Sequence, residues 1–148
     1  GADYQYILAM DKKTGETKWK TDRSVDFKDL DENGQPKGEG DFRKAFATPH
    51  IAILGGKPVL ISQGAMATYA YNPATGKELW RYDEHDNHSA STRPVVLGET
   101  VYVPTCFPKP SLLALPSNKK GVLEESDLQW KLTLNKGTPK KAIPPTGW

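Results

Sequence analysis

Thr68-Tyr69-Ala70-Tyr71-Asn72-Pro73-Ala74-Thr75-Gly76-Lys77-Glu78-Leu79-Trp80-Arg81 reads as two strands joined by a tight turn. Tyr69, Ala70 and Tyr71 alternate between faces with period two, as a packed strand must. Asn72 can fold its side chain onto the following backbone amides, Pro73 presets φ for a turn, and Gly76 can take the left-handed conformation that closes it. Trp80 falls on the outgoing strand, where its ring can cover apolar surface that a single hairpin cannot bury alone.

The pattern is written three times. Ile7-Leu8-Ala9-Met10-Asp11-Lys12-Lys13-Thr14-Gly15-Glu16-Thr17-Lys18-Trp19-Lys20 matches it without a gap. A third copy begins at Leu112-Leu113-Ala114-Leu115 and reaches Trp130 only after an insertion through residues 118–126. The recurring positions are Ala9, Gly15 and Trp19; Ala70, Gly76 and Trp80; and Ala114 and Trp130, the alanines being small enough for a neighbour to approach. Upstream of the second and third hairpins, Ala47-Thr48-Pro49-His50-Ile51-Ala52-Ile53 and Ser91-Thr92-Arg93-Pro94-Val95-Val96-Leu97 each lead through a glycine turn into another apolar strand. Pro49 and Pro94 open their strands, where a missing amide proton does little harm.

Each unit is therefore four antiparallel strands in about forty to forty-five residues, the size of a propeller blade. The expectation is an all-β chain of propeller blades in an incomplete ring. The second half of blade one spans about 4–21, an inserted loop 22–45, blade two about 46–82, blade three about 91–133, and the start of blade four 137–148. About three blades fall short of the roughly four to eight that close a ring.

Composition agrees with many short strands and bounds the partners. Thirteen Gly and twelve Pro are scattered through 148 residues, and four Trp, six Tyr and four Phe are too many for a disordered chain. The net charge of +2 comes from interspersed residues, which argues against a nucleic-acid partner. The one basic cluster, Lys136, Lys140 and Lys141, reads as a solvated end. No apolar run is long enough to be a transmembrane segment, and the first residues lack the pattern of a signal peptide, so any export signal is expected outside this chain. Cys106 is the only cysteine, which excludes an internal disulfide and a cysteine metal cage.

The run from Ala70 to Trp80 resembles the repeat of PQQ-like, quinoprotein-type β-propellers, closely in blade two, well in blade one, and degenerately at Pro116 and the inserted turn of blade three. The resemblance implies a periplasmic or extracellular protein whose repeat tryptophans dock between blades, here Trp19, Trp80 and Trp130. Two functional classes share that scaffold, and fold alone does not choose between them. The reading adopted is a non-catalytic binding or scaffolding propeller module of an exported protein, with protein or carbohydrate as ligand. Its partners would include further propeller blades from a longer chain or a second copy. One alternative is a fragment of a PQQ-dependent quinoprotein dehydrogenase; another is a self-associating structural blade stack. No cofactor is expected in this chain, PQQ and calcium being possible only in a complete ring.

Blade topology puts the longest loops on one face, where a ligand would meet the propeller. Asp29, Asp31 and Asn33, followed by Gly34, reproduce the opening half of a calcium loop over residues 29–41. The twelfth position is Gly40 rather than a bidentate Glu, so an acidic turn made by Asn33-Gly34 is the competing reading. In Asp83-Glu84-His85-Asp86-Asn87-His88, the imidazoles of His85 and His88 are candidate transition-metal ligands, against a solvated connector whose side chains cap backbone groups. Ser89 and Ser91 lie near His88 and Asp86 in sequence, but nothing there positions a nucleophile against a base, and no catalytic residue is expected.

Overall fold

The computed structural model describes residues 4–35, 37, 43–84, 87–105 and 107–133. Its first hairpin is β1 (Tyr6–Met10) and β2 (Thr17–Asp22). Next come β3 (His50–Leu54), β4 (Lys57–Gln63), β5 (Ala67–Tyr71) and β6 (Glu78–Asp83), then β7 (Val95–Leu97), β8 (Thr100–Pro104), β9 (Ser111–Pro116), β10 (Gly121–Leu123) and β11 (Trp130–Thr133). The chain is all-β, and a short 3-10 turn spans Glu125–Asp127. Among the described residues the sheets do not close on themselves: the orders are β1-β2, β10-β6-β5-β4-β3 and β11-β9-β8-β7. The start of a fourth blade, expected at 137–148, lies outside the described residues, as do Lys136, Lys140 and Lys141.

The turn chemistry acts as its residues dictate. The Asp11 carboxylate accepts from the amides of Lys13 and Thr14 at 2.9 and 3.1 Å, and Gly15 closes the turn at φ +77°. The Asn72 side chain accepts from the amide of Ala74 at 2.9 Å, and Gly76 closes its turn at φ +73°. Both hairpins carry a register shift at the same repeat position, between Ala9 and Met10 and between Ala70 and Tyr71. In all three copies the alanine sits directly opposite the tryptophan on the paired strand: Ala9 with Trp19, Ala70 with Trp80, Ala114 with Trp130. A methyl group there leaves the space over which an indole can lie.

Two apolar layers join the sheets. Val59, Ile61, Ala70, Trp80 and Tyr82 face Val101, Val103, Leu113 and Leu115, while Tyr69, Tyr71 and Met66 on the opposite face of the central sheet meet Ile7 and Val25. β5 is therefore buried along its whole length, covered on both faces.

One strand departs from the expected blade. The insertion expected as an enlarged turn of blade three sends β10 across to the outer edge of the neighbouring sheet, where it pairs in parallel with β6, Gly121 opposite Trp80. That edge of backbone groups takes any strand brought alongside it, and the insertion is long enough to reach.

Candidate functional site

A cleft of about 470 Å³ opens between the central sheet and the β7–β9 and β11 sheet. Tyr82, Glu84 and Asn87 line it from one side, and Thr105, Ser111 and Lys131 from the other. Its loops are tied to each other and to the strands. The amide of Glu84 donates to the Met66 carbonyl at 2.8 Å, and Met66 in turn donates to the Asn87 carbonyl at 2.7 Å. The His88 amide donates to the Phe107 carbonyl at 2.9 Å, and the two rings meet edge to face with centroids 5.3 Å apart. Across the cleft, Thr105 and Ser111 close their loop by reciprocal bonds: the Thr105 amide to the Ser111 carbonyl and the Ser111 amide to the Thr105 hydroxyl, each 2.7 Å.

Glu84 is the unusual group. Only 7% of it is exposed, and the Thr68 hydroxyl donates to its carboxyl group. Burial drives its pKa up to about 7, against the lowering effect of hydrogen bonds from Thr68 and Gln63 and of the charge on Lys131. Lys131 is itself committed, its ammonium 2.7 Å from Glu125. The Oδ1 of Asn87 is buried without a hydrogen-bond partner. The residues lining the cleft thus include a buried carboxyl group and a buried amide oxygen that has no donor.

Among the residues singled out from sequence, Trp19 donates from Nε1 to the Pro73 carbonyl at 2.9 Å, so its indole lies on the turn of the next hairpin. A Cβ at Gly76 would sit 2.5 Å from Cε3 of Trp19. Gly76 therefore serves two needs, a left-handed backbone and room for the indole. Trp80 is fully buried between the sheets, yet its Nε1 has no partner. Trp130 is 43% exposed and leans on Tyr102, with ring centroids 5.8 Å apart.

Asp29 and Asp31 are each engaged within the protein. The Asp29 carboxylate is buried against the guanidinium of Arg43, accepting at 2.6 and 2.9 Å, and this pairing holds its pKa below the usual carboxylate range. Asp31 accepts from the amides of Asn33 and Gln35 at 2.9 and 2.8 Å. Among the described residues no group of three or more His, Cys, Asp or Glu is placed to hold a metal ion. His88 has its Nδ1 2.9 Å from the Ser89 hydroxyl. His85, Asp86, Glu39, Gly40, Asp41 and Cys106 lie outside the described residues.

Sequence reading missed two residues that the structure makes prominent. Glu84 looked like part of a solvated acidic run, but the alternation that buries Trp80 and Tyr82, carried two residues further, places it on the same inward face. Arg23 was assigned to the inserted loop. It sits over the ring of Tyr69 at 4.5 Å and donates to the Tyr71 hydroxyl at 3.1 Å and the Ser62 hydroxyl at 2.8 Å. Aligning the two ungapped repeats puts Arg23 at the position of Glu84.

Sheets of antiparallel hairpins packed face to face, with a tryptophan of one hairpin seated on the turn of the next, define a PQQ-like propeller repeat protein. Residues 3–139 match the family described as outer membrane protein assembly factor BamB, and the chain belongs to that family. No curated protein matches the chain. Among the described residues, no helix is long and apolar enough to cross a membrane.

Proposed function

We propose that the chain supplies blades to a non-catalytic scaffold of an exported or periplasmic protein, and that it works by binding protein. The observation that carries this reading is an apolar edge. β3 and β7 are the terminal strands of their sheets, and Ile51, Ile53, Val95 and Leu97 along them are all more than half exposed. An unpaired strand edge bearing apolar side chains accepts an extended segment of another protein by backbone pairing. Membership of a family described as an outer membrane protein assembly factor agrees with a client rich in strands.

The test is titration with a ten-residue peptide of alternating valine and threonine. Saturable binding that Ile53→Lys and Leu97→Lys weaken supports the reading, and binding indifferent to both overturns it. Reduction of an artificial electron acceptor after adding PQQ and calcium would favour the dehydrogenase alternative instead.

Self-association is supported by one further pair of features. Trp130 stands exposed, and the Asp11–Gly15 turn has the same form as the one that receives Trp19, with open space at the Cβ position of Gly15. Sedimentation of the chain and of Trp130→Lys tests it: an assembly lost in the variant supports docking of a second copy.

A further inference from the structure

The two sheet-to-sheet interfaces differ at one repeat position. At the first, Arg23 fills the space with a cation, its guanidinium over Tyr69 and hydrogen-bonded to Tyr71 and Ser62. At the second, the corresponding residue is Glu84, and a cleft stands open where the first interface is filled. The residues matching Tyr69, Tyr71 and Ser62 in the third sheet's register are Leu113, Leu115 and Val103, so that sheet offers Glu84 no polar partner at those positions.

The charges that line the cleft are of both signs. Three acidic and two basic side chains line it: Asp83, Glu84 and Glu125, with Lys109 and Lys131. Arg81 holds Asp83 at 2.8 Å and Lys131 holds Glu125 at 2.7 Å, while Lys109 is exposed. What remains is the buried Glu84 carboxyl, which accepts from Thr68 but has no cation bonded to it, and the buried Oδ1 of Asn87, which has no partner; both residues line the cleft with Tyr82, Leu113 and Pro110. Such a set is completed by a group that brings several N–H donors and a positive charge on an apolar stem. A volume near 470 Å³ admits one long side chain with its backbone.

We infer that this cleft is a binding site for a cationic side-chain group, an ammonium or guanidinium on an aliphatic stem, which pairs with Glu84 and Asn87 as Arg23 pairs with the preceding interface. The cation arrives from outside the fold, on a lysine or arginine of a protein partner or on a free polyamine. The inference does not depend on the scaffold reading, since the cleft lies apart from the edges of β3 and β7.

The experiment is an amide NMR titration of the full chain at pH 8, where the Glu84 carboxyl is mostly ionised. The probes are N-acetyl-lysine methylamide, N-acetyl-arginine methylamide, free cadaverine, and N-acetyl-norleucine methylamide as the neutral counterpart. The expected result is saturable shifts at Glu84, Asn87, Thr105 and Ser111 with the cations and at least tenfold weaker binding of the norleucine compound. Glu84→Gln should weaken the cations at least tenfold, with Asn87→Ala as a second variant should Glu84→Gln fail to fold. Preference for the blocked amino acids identifies a protein side chain as the source, and preference for cadaverine a free amine. No saturable shift in the cleft, equal binding of norleucine, or cation binding unchanged in a folded variant overturns the inference.

Discussion

Replacing Glu84 by Gln should stabilise the chain at pH 8 and leave it nearly unchanged at pH 5. The folded chain keeps the Glu84 proton up to about pH 7, whereas the unfolded chain releases it near the ordinary value of 4.5. Between those values the native state binds more protons than the unfolded state, so stability falls as pH rises and levels off above 7. A displacement of this size corresponds to about 3 kcal/mol in all, of which about 2.5 kcal/mol falls between pH 5 and 8. Glutamine keeps the shape and the oxygen that accepts from Thr68 but has no proton to lose. Other groups do not mimic the effect. Asp11, Asp29, Glu99 and Asp127 are held below their ordinary values, so their contributions are complete above the usual carboxylate range and are lost only in more acid solution. His50 is lowered from 6.5, chiefly by burial and then by Arg93, so its contribution grows as pH rises toward 6.5. It acts equally in both proteins and cancels in the difference. Urea unfolding at pH 5, 6, 7 and 8 at constant ionic strength measures the two curves. Parallel curves would refute the assignment of Glu84 as a buried acid that resists ionisation.

The other expectations concern stability. Gly15→Ala should cost about 1 kcal/mol, because only the left-handed backbone is strained and the space is open. Gly76→Ala should cost roughly 1–3 kcal/mol more, because its methyl group also meets Trp19 and Thr21; equal losses in urea unfolding would remove the packing role of that glycine. Benzothienylalanine, which has sulfur in place of the indole N–H, should cost about 1 kcal/mol at Trp19. At Trp80, whose N–H has no partner, the same replacement should be neutral or stabilising. Arg43→Ala should lose about 3 kcal/mol by leaving Asp29 buried and unpaired, checked by the same unfolding measurement. Millimolar calcium should leave Tm unchanged, since Asp29 and Asp31 are already engaged within the protein; a calcium-dependent rise would support the 29–41 loop as a metal site.

The hairpins were legible because their signals are local. Asp11 and Asn72 reach amides two residues away, and Gly15 and Gly76 supply a conformation that other residues adopt only with strain. Partnership across sheets was not legible in the same way. Nothing in Gly121-Val122-Leu123 marks it for β6, because the pairing is made by backbone groups common to every residue. Asp29 illustrates a different difficulty. Its spacing from Asp31 and Asn33 is that of a calcium loop, but its ion-pair partner, Arg43, comes after the span such a loop would occupy.

The insertion and the orphaned indole of Trp80 belong to one rearrangement. Trp19 finds its acceptor at the Pro73 carbonyl because the second repeat has the short turn from Asn72 to Gly76. In the third repeat Pro116 stands where Asn72 does in the second, and the insertion follows in place of the short turn, so the surface on which Trp80 would have docked is gone. The inserted residues return as β10 beside Trp80 itself, and Leu123 joins the apolar layer around its ring. Burial of Trp80 is thus kept at the expense of its hydrogen bond. With an apolar layer of Val101, Val103, Leu113 and Leu115 facing it, the ring's contribution comes from area rather than from its N–H. The two interfaces therefore share a repeat and differ in what holds them. The first is pinned by polar contacts through Trp19, Thr21 and Arg23 beside a smaller apolar layer, and the second by a larger apolar layer with Gln63 donating to the Pro104 carbonyl at 2.9 Å and the Gly55 amide donating to Glu99 at 3.0 Å; its buried acid, Glu84, lines the open cleft.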